Sequence, residues 1–202
     1  MLVVDVESTG TNTEKHSLLS IGAVDFNIHT DSFLCEFYME CAAFPGAHVE
    51  DEALAINGVP REKVFDTSKK SEAEIVGEFL KWVGEAPDHT FAGQNPSFDT
   101  SFVIAGAFRA GLNSSIPKRT IDLHSVCYFH MIKRGITPPL DLKHKRSDLN
   151  SDVIMKYVGI PPEVHPHLAI NGARIEAEAF SRLFYEKSIY DDYKNFPIPW
   201  LK

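Results

Sequence analysis

Residues 2–7, with the sequence LVVDVE, alternate apolar and acidic side chains at the start of the chain. Side chains along a strand point alternately to its two faces, so Asp5 and Glu7 share one face with Val3. The apolar flanks favour a central strand, although an edge strand whose acids point into water is the alternative. Two neighbouring carboxylates in a buried strand repel each other and are costly to desolvate. We therefore expect a compensating positive group, most simply a hard divalent cation.

Hydrophobic periodicity along the rest of the chain predicts an α/β fold. Period-two runs predict strands over 2–7, 17–26, 32–39, 90–93 and 119–123. Amphipathic runs with capping residues predict helices over 50–56, 71–84, 95–111, 125–134, 149–158 and 171–187. The helix after Asn95-Pro96 is expected to have the Asn95 side chain as its cap. Strands followed by alternating helices and strands indicate a mixed β-sheet flanked by α-helices.

Length and composition predict one domain. The chain has 202 residues, of which 44% are hydrophobic, enough for a full core. We expect a single domain over 1–187, followed by a C-terminal tail over 188–202. No stretch resembles a membrane span or signal peptide, so a cytoplasmic protein without a membrane partner is expected. Three cysteines with no paired spacing also suit a reducing compartment.

The formal net charge of −8 argues against a protein that coats long nucleic acid through a basic surface. It is compatible with an enzyme that acts at a strand end, where cations in the site could neutralise the local acids. The one basic run, residues 143–146, falls in a predicted loop between Pro139 and Asp148. A solvated loop is favoured there over a role in contacting phosphates.

Two further residues suggest a site for phosphodiester cleavage. Asp99 lies in the first turn of a predicted helix, and His167 lies just before the last helix. Metal-assisted cleavage commonly uses two cations about 4 Å apart, which requires several convergent carboxylates. Asp5, Glu7, Asp99 and His167 are the candidates for such a site.

Three ordered motifs carry a family resemblance. They are VDVESTG at residues 4–10, QNPSFD at residues 94–99 and PHLAINGA at residues 166–173. At these residues the chain resembles the DEDDh 3′ to 5′ exonucleases, the group that includes the proofreading subunit of bacterial replicative polymerase, RNase T and oligoribonuclease. The resemblance covers roughly residues 2–185 and implies a ribonuclease H-like fold.

The resemblance also implies roles for individual residues. Asp5 would bridge two Mg²⁺ or Mn²⁺ ions, Glu7 would bind one of them, and Asp99 would hold the other. His167 would take a proton from the attacking water. The terminal nucleotide would contact Thr9 and Gly10.

One position departs from the family pattern. The family places an aspartate five residues after the histidine, where this chain has Gly172. At about 100° per residue, Glu176 projects from nearly the same side of the helix as Gly172, within an apolar face. Glu176 is therefore expected to point inward and to meet either a metal or a basic group. The opposite side of this helix carries Arg174, Glu178, Ser181 and Tyr185.

The leading interpretation is a metal-dependent exonuclease that shortens single-stranded DNA or RNA from the 3′ end. The alternative is a catalytically silent module of the same fold that binds a nucleic-acid end or a protein partner, as Gly172 suggests. A phosphodiesterase for dinucleotides is a third reading. A polymerase and a second copy of the chain are candidate partners. Discrimination between DNA and RNA depends on contacts to the 2′-hydroxyl, which the sequence does not locate.

Overall fold

The computed structural model describes residues 1–27, 32–113, 116 and 119–201. A six-stranded sheet in the order β4-β3-β2-β1-β5-β6 forms its centre. The strands are β1 (Leu2–Ser8), β2 (Leu18–Asn27), β3 (Ser32–Ala42), β4 (Lys70–Ser71), β5 (Phe91–Gly93) and β6 (Thr120–Asp122). Because β1 pairs antiparallel with β2 and parallel with β5, it is an interior strand of a mixed sheet, as predicted.

Six α-helices flank the sheet in the described part of the chain. They are α1 (Asp51–Asn57), α2 (Glu72–Glu85), α3 (Pro96–Arg109), α4 (Leu123–Lys133), α5 (Ser151–Val158) and α6 (Ala169–Tyr185). Their bounds lie within two residues of the predicted ones. Ser71 and Glu74 form a reciprocal capping box at the start of α2, and Gly58 ends α1 in the left-handed conformation. None of these helices is long and apolar enough to cross a bilayer.

The two faces of β1 enter two different cores. Leu2, Val4 and Val6 pack with apolar side chains of α2 and α3. Val3, on the opposite face, belongs to the core formed with α4, α5 and α6. Asp5 and Glu7 lie on this second face, so α6 determines how much water reaches their carboxylates.

The predicted loop containing the basic run is in fact a short hairpin. β7 (Leu140–Asp141) pairs antiparallel with β8 (Arg146–Ser147). The Asp141 carboxylate accepts hydrogen bonds from the backbone N–H groups of Lys143 and His144, and these bonds close the turn. Two-residue strands are too short to produce a period-two signal, so the pattern could not reveal them. Lys143 and Arg146 are exposed at this hairpin.

The start of α3 also differs from the prediction. Asn95 is the N-cap residue, but it is left-handed, with φ of 55°, and its side chain makes no capping hydrogen bond. Its backbone N–H instead donates to Oδ1 of Asp122, at the end of β6, over 3.3 Å. The connection from β5 into α3 is therefore fixed by a neighbouring strand rather than by a local cap.

The chain after α6 folds back over the helix and buries a face that was predicted to lie opposite the core. Glu178 and Ser181 are fully buried as a result. The Glu178 carboxylate accepts the backbone N–H groups of residues 189–190 and pairs with Arg182 at 2.7 Å. Arg182 also donates to the backbone carbonyl of Tyr193. This buried ion pair therefore joins the C-terminal segment to α6.

Replacing Arg182 by leucine is expected to destabilise the protein strongly. The change leaves Glu178 charged and buried without its partner, which typically costs about 3–5 kcal/mol of unfolding free energy. The measurement is urea denaturation. Arg61→Ala is the matched control, because the Arg61–Asp51 pair is exposed and should contribute less than about 1 kcal/mol. Equal losses in the two variants would contradict this account of the C-terminal segment.

Candidate functional site

Asp5 and Glu7 are placed by the pleat of β1. Their register partners on β2 are Gly22 and Ser20, respectively. A Cβ atom added at Gly22 would lie 2.1 Å from the backbone carbonyl carbon of Ala169, the first residue of α6. Glycine at this point of the sheet therefore allows the start of α6 to approach the strands, and it brings the third motif over the acidic face of β1.

Gly172 has a specific spatial role beside Asp5. A Cβ atom at Gly172 would lie 2.2 Å from Oδ2 of Asp5 and 2.8 Å from its Cγ. The Asp5 carboxylate thus occupies the volume that any larger residue at position 172 would need. The absence of a side chain at Gly172 therefore makes room for the carboxylate of Asp5.

Asp99 reaches β1 through a hydrogen bond. It lies in the first turn of α3 and is only 4% exposed. Its Oδ1 accepts the backbone N–H of Val6 over 3.0 Å. The second motif is therefore attached to β1 at the residue between Asp5 and Glu7.

Glu176 points inward, as its position on the helix predicted. It is 6% exposed, and its Oε2 atom is buried without a hydrogen-bond partner among the described residues. That oxygen lies 3.0 Å from the position of a Cβ atom added at Gly93, at the end of β5. The expected alternative, a basic partner, is therefore not present in the described part of the structure. Glu178, on the same helix, has such a partner in Arg182.

These four acids share one electrostatic environment. Burial raises the pKa of Asp5 well above its usual value, and the charges of Asp99, Glu176 and Glu7 raise it further. Burial raises the pKa of Asp99 to about 7. Burial, followed by the charges of Glu163 and Asp99, raises the pKa of Glu7 to about 8. The pKa of Glu176 is raised by burial first and then by Asp99. Acids drawn from three separate segments therefore oppose one another's ionisation.

His167 lies beside Glu7. Both residues line a small cavity of about 30 Å³ between β3 and the segment that precedes α6. Lys69 lines the same cavity, but its ammonium group is paired with Glu40 at 2.7 Å. The structure thus brings the histidine of the third motif next to an acid of the first, with the nearby lysine engaged elsewhere.

Sequence reasoning missed Glu163. Its Oε2 lies 3.6 Å from Nδ1 of His167, and its charge raises the pKa of both Asp5 and Glu7. Burial raises the pKa of Glu163 itself, and the imidazole of His167 opposes that rise. Glu163 belongs to an irregular connection, so no periodic pattern indicated its direction. Its only sequence signal was an acid four residues before the histidine.

Thr9 and Gly10, expected near the terminal nucleotide, are buried. The Thr9 hydroxyl donates to the carbonyl of His48 and accepts the N–H of Ser17. The backbone N–H and carbonyl of Thr9 are also bonded within the protein. A Cβ atom at Gly10 would lie 2.6 Å from the His16 ring. These groups of Thr9 therefore form hydrogen bonds within the protein, and its contact with a terminal nucleotide stays a prediction.

The carboxylates of the site are suitable ligands for a hard divalent cation, but their present positions do not form a metal-binding group. Carboxylate oxygens are the ligands that Mg²⁺ and Mn²⁺ prefer. Oε2 of Glu176, which has no hydrogen-bond partner among the described residues, is free to bind such an ion. Among the described residues, however, no three histidine, cysteine, aspartate or glutamate side chains form a metal-binding group as they stand. Binding a shared cation therefore requires side-chain rotations that bring these oxygens together.

Comparison with known proteins supplies the family. The profile of the family described as Exonuclease matches residues 2–180. The chain belongs to the DEDDh-type exonuclease family. Exonucleases of this type generally use divalent metal ions.

The curated relatives of this exonuclease-family chain include several ribonucleases T. Ribonuclease T of Escherichia coli K12 is 33% identical in an alignment of 135 residues, which covers 60% of this chain and 61% of that protein. Ribonuclease T of Marinobacter nauticus is 32% identical in an alignment of 144 residues, which covers 65% of each chain. The chain thus matches about three fifths of the length of these relatives.

Solved structures establish the ribonuclease H-like exonuclease fold. E. coli Exonuclease I in complex with a dT13 oligonucleotide has a TM-score of 0.73 at 15% identity, over 91% of this chain and 40% of that one. The nuclease domain of 3′hExo, a DEDDh family member bound to rAMP, has a TM-score of 0.68 at 14% identity, over 98% of this chain and 94% of that one. At these identities the likeness concerns the fold alone.

Gly172→Ala tests the close approach of α6 to Asp5. The added methyl group would displace the Asp5 carboxylate, so we expect Mn²⁺ affinity to fall at least about tenfold. Calorimetric titration with Mn²⁺ measures this effect. Gly84→Ala is the matched control, because no atom lies within 4 Å of a Cβ at this helical position. Unchanged Mn²⁺ binding by Gly172→Ala would show that Asp5 does not need this space.

The raised pKa values of Asp99, about 7, and Glu7, about 8, predict that stability depends on pH. Their ordinary values are 3.8 and 4.5, so between about pH 4 and 8 the folded protein holds protons that the unfolded chain has released. Stability should therefore fall as the pH rises through this range. Urea denaturation in EDTA measures it, and the double variant Asp99→Asn, Glu7→Gln should flatten the dependence. A rise in wild-type stability over the same range would contradict these shifts.

Proposed function

We propose that this protein is a metal-dependent 3′ to 5′ exonuclease acting on single-stranded DNA or RNA. The observation that carries the proposal is the convergence of the buried acids Asp99 and Glu176 with the partly buried Asp5 and Glu7. The charges of the other three acids raise the pKa of Asp5. Clustered acids with raised pKa values are costly to fold, and such groups concentrate at functional sites. Membership of the DEDDh-type exonuclease family supports the same reaction class.

The acids of β1, α3 and α6 would hold two Mg²⁺ or Mn²⁺ ions. Asp5 lies centrally, because the charges of Asp99, Glu176 and Glu7 all raise the pKa of its carboxyl group. Glu176 would supply the carboxylate that the chain lacks at Gly172, using the oxygen that has no protein partner. When bound, the cations would neutralise these acids and stabilise the charge that develops on the phosphate.

His167 would act as the general base. Its imidazole lies beside Glu7 at the edge of the site and is 31% exposed, so water can reach it. An imidazole titrates near neutral pH and can therefore take a proton from a water molecule that attacks phosphorus.

The protein would act in the cytoplasm, since all three of its cysteines are unpaired.

The substrate would be a free 3′ end rather than a long duplex. Few basic side chains are available in a chain of net charge −8, so affinity would come mainly from contacts at the terminus. Relatives named Ribonuclease T and a neighbour bound to a dT13 oligonucleotide make RNA and single-stranded DNA the two substrates to test. A polymerase or a second copy of the chain would be the partner to examine.

A catalytically silent module is the second candidate. Gly172 favours it, because the family pattern has a carboxylate at this position, and the described acids do not yet form a metal-binding group. The two candidates differ in Mn²⁺ binding. The enzyme should bind two ions, whereas a silent module should bind none or one weakly.

The activity test compares 3′-labelled and 5′-labelled single strands incubated with Mn²⁺. Stepwise shortening from the 3′ end is expected, and Glu176→Gln should lower kcat by about a hundredfold or more if it removes a ligand. Glu78→Gln, an exposed acid on α2, is the matched control and should leave the rate unchanged. The proposal fails if neither strand is shortened at high enzyme concentration. Full activity of Glu176→Gln would refute the replacement of the missing acid.

A further inference from the structure

The connection between α5 and α6 carries His167 and is attached firmly to the protein. The backbone N–H of His167 donates to the carbonyl of Ile56, the penultimate residue of α1, over 3.0 Å. Pro166 packs over Gly58, where an added Cβ would lie 2.5 Å from the Cβ of the proline. The position of His167 is therefore set by contacts with α1 rather than by α6 alone.

Glu163 fixes the same connection from inside. Its side chain is only 14% exposed. Oε1 accepts the backbone N–H of Leu168 over 3.2 Å, and Oε2 faces Nδ1 of His167 at 3.6 Å. One carboxylate thus contacts both the backbone and the imidazole of the third motif.

A second side chain contacts the face of the His167 imidazole. The His165 ring stacks on it with the centroids 4.5 Å apart and an interplanar angle of 21°. Among the described residues no hydrogen bond engages Nε2 of His167. Contacts at the Nδ1 edge and on one face therefore leave Nε2 as the nitrogen available for chemistry.

We propose that Glu163 is a positioning residue that orients His167 and selects its tautomer. This inference rests on the proposed exonuclease function. An ionised carboxylate only accepts hydrogen bonds, so it favours the imidazole with its proton on Nδ1. Nε2 then carries the lone pair that takes a proton from the attacking water, while the remaining hydroxide bonds to phosphorus. The separation of 3.6 Å is compatible with a contact that tightens when substrate binds.

The geometry favours this role over that of another cation ligand. Glu163 is close enough to the acids of β1 to raise the pKa of Asp5 and Glu7. Both of its oxygens, however, already face groups of the third motif, the Leu168 N–H and the His167 ring. Its charge instead stabilises the imidazolium that forms when His167 takes the proton.

The test compares the wild type with Glu163→Ala and Glu163→Gln. Alanine removes both carboxylate oxygens, whereas glutamine keeps one carbonyl oxygen for the Leu168 N–H and presents an NH2 donor to Nδ1 of His167. Nitrogen-15 NMR of the His167 ring in EDTA reports the tautomer without requiring activity. Asp192→Asn is the matched control, because this exposed acid and Glu163 line one surface cavity, and among the described contacts none joins Asp192 to the imidazole.

We expect the wild type to keep the proton on Nδ1, and both Glu163→Ala and Glu163→Gln to move it largely to Nε2. In both variants kcat should fall about 10- to 100-fold while KM changes by less than about threefold. Calorimetric titration should give the same number of Mn²⁺ ions in all variants. If the alanine variant does not fold, Glu163→Met takes its place, because it keeps the side-chain length without an acceptor.

An unchanged tautomer after removal of the carboxylate would overturn the proposal, whatever the rate. Loss of a bound Mn²⁺ ion would also overturn it, since Glu163 would then be a ligand. A wild type that is inactive on every strand, but whose His167 tautomer still depends on Glu163, would instead refute the exonuclease function and leave the contact established.

Discussion

The mutual repulsion of buried carboxylates is the constraint around which this structure is arranged. β1 places Asp5 and Glu7 on the face covered by α6, while α3 and α6 add Asp99 and Glu176. Every one of these acids has its pKa raised, with burial as the largest cause. Folding therefore brings acidic groups together where water screens their charges poorly. The packing of the two cores must supply the free energy that maintains this arrangement.

Two buried acids of α6, Glu176 and Glu178, differ in whether their charges are balanced by partners. Glu178 is paired with Arg182 and accepts two backbone N–H groups, so its charge is balanced and holds the C-terminal segment. Glu176, half a turn away, has a buried oxygen with no hydrogen-bond partner in the described part of the chain. A solely structural carboxylate would be expected to resemble Glu178. The contrast, rather than burial alone, distinguishes Glu176 as a candidate ligand.

The third motif depends on contacts made far from it in sequence. His167 is attached to α1 through Ile56, and its imidazole lies between Glu163 and His165. Gly22 on β2 and Gly172 on α6 provide the close approaches that bring this motif over Asp5. The histidine and the first acids meet because sheet, helix and connection are each fixed by different neighbours.

The sequence by itself determined the local elements and the order of the motifs. Period-two alternation placed Asp5 and Glu7 on one face of β1, and the helical period placed Glu176 on the inner side of α6, because both periods are properties of the backbone. Only the tertiary structure decided which groups meet across long separations. Thr9 is bonded entirely within the protein, Glu163 lies beside His167, and Glu178 is covered by the returning chain. Periodicity specifies which side of an element a residue occupies, whereas the neighbours on that side are set by the packing of distant segments.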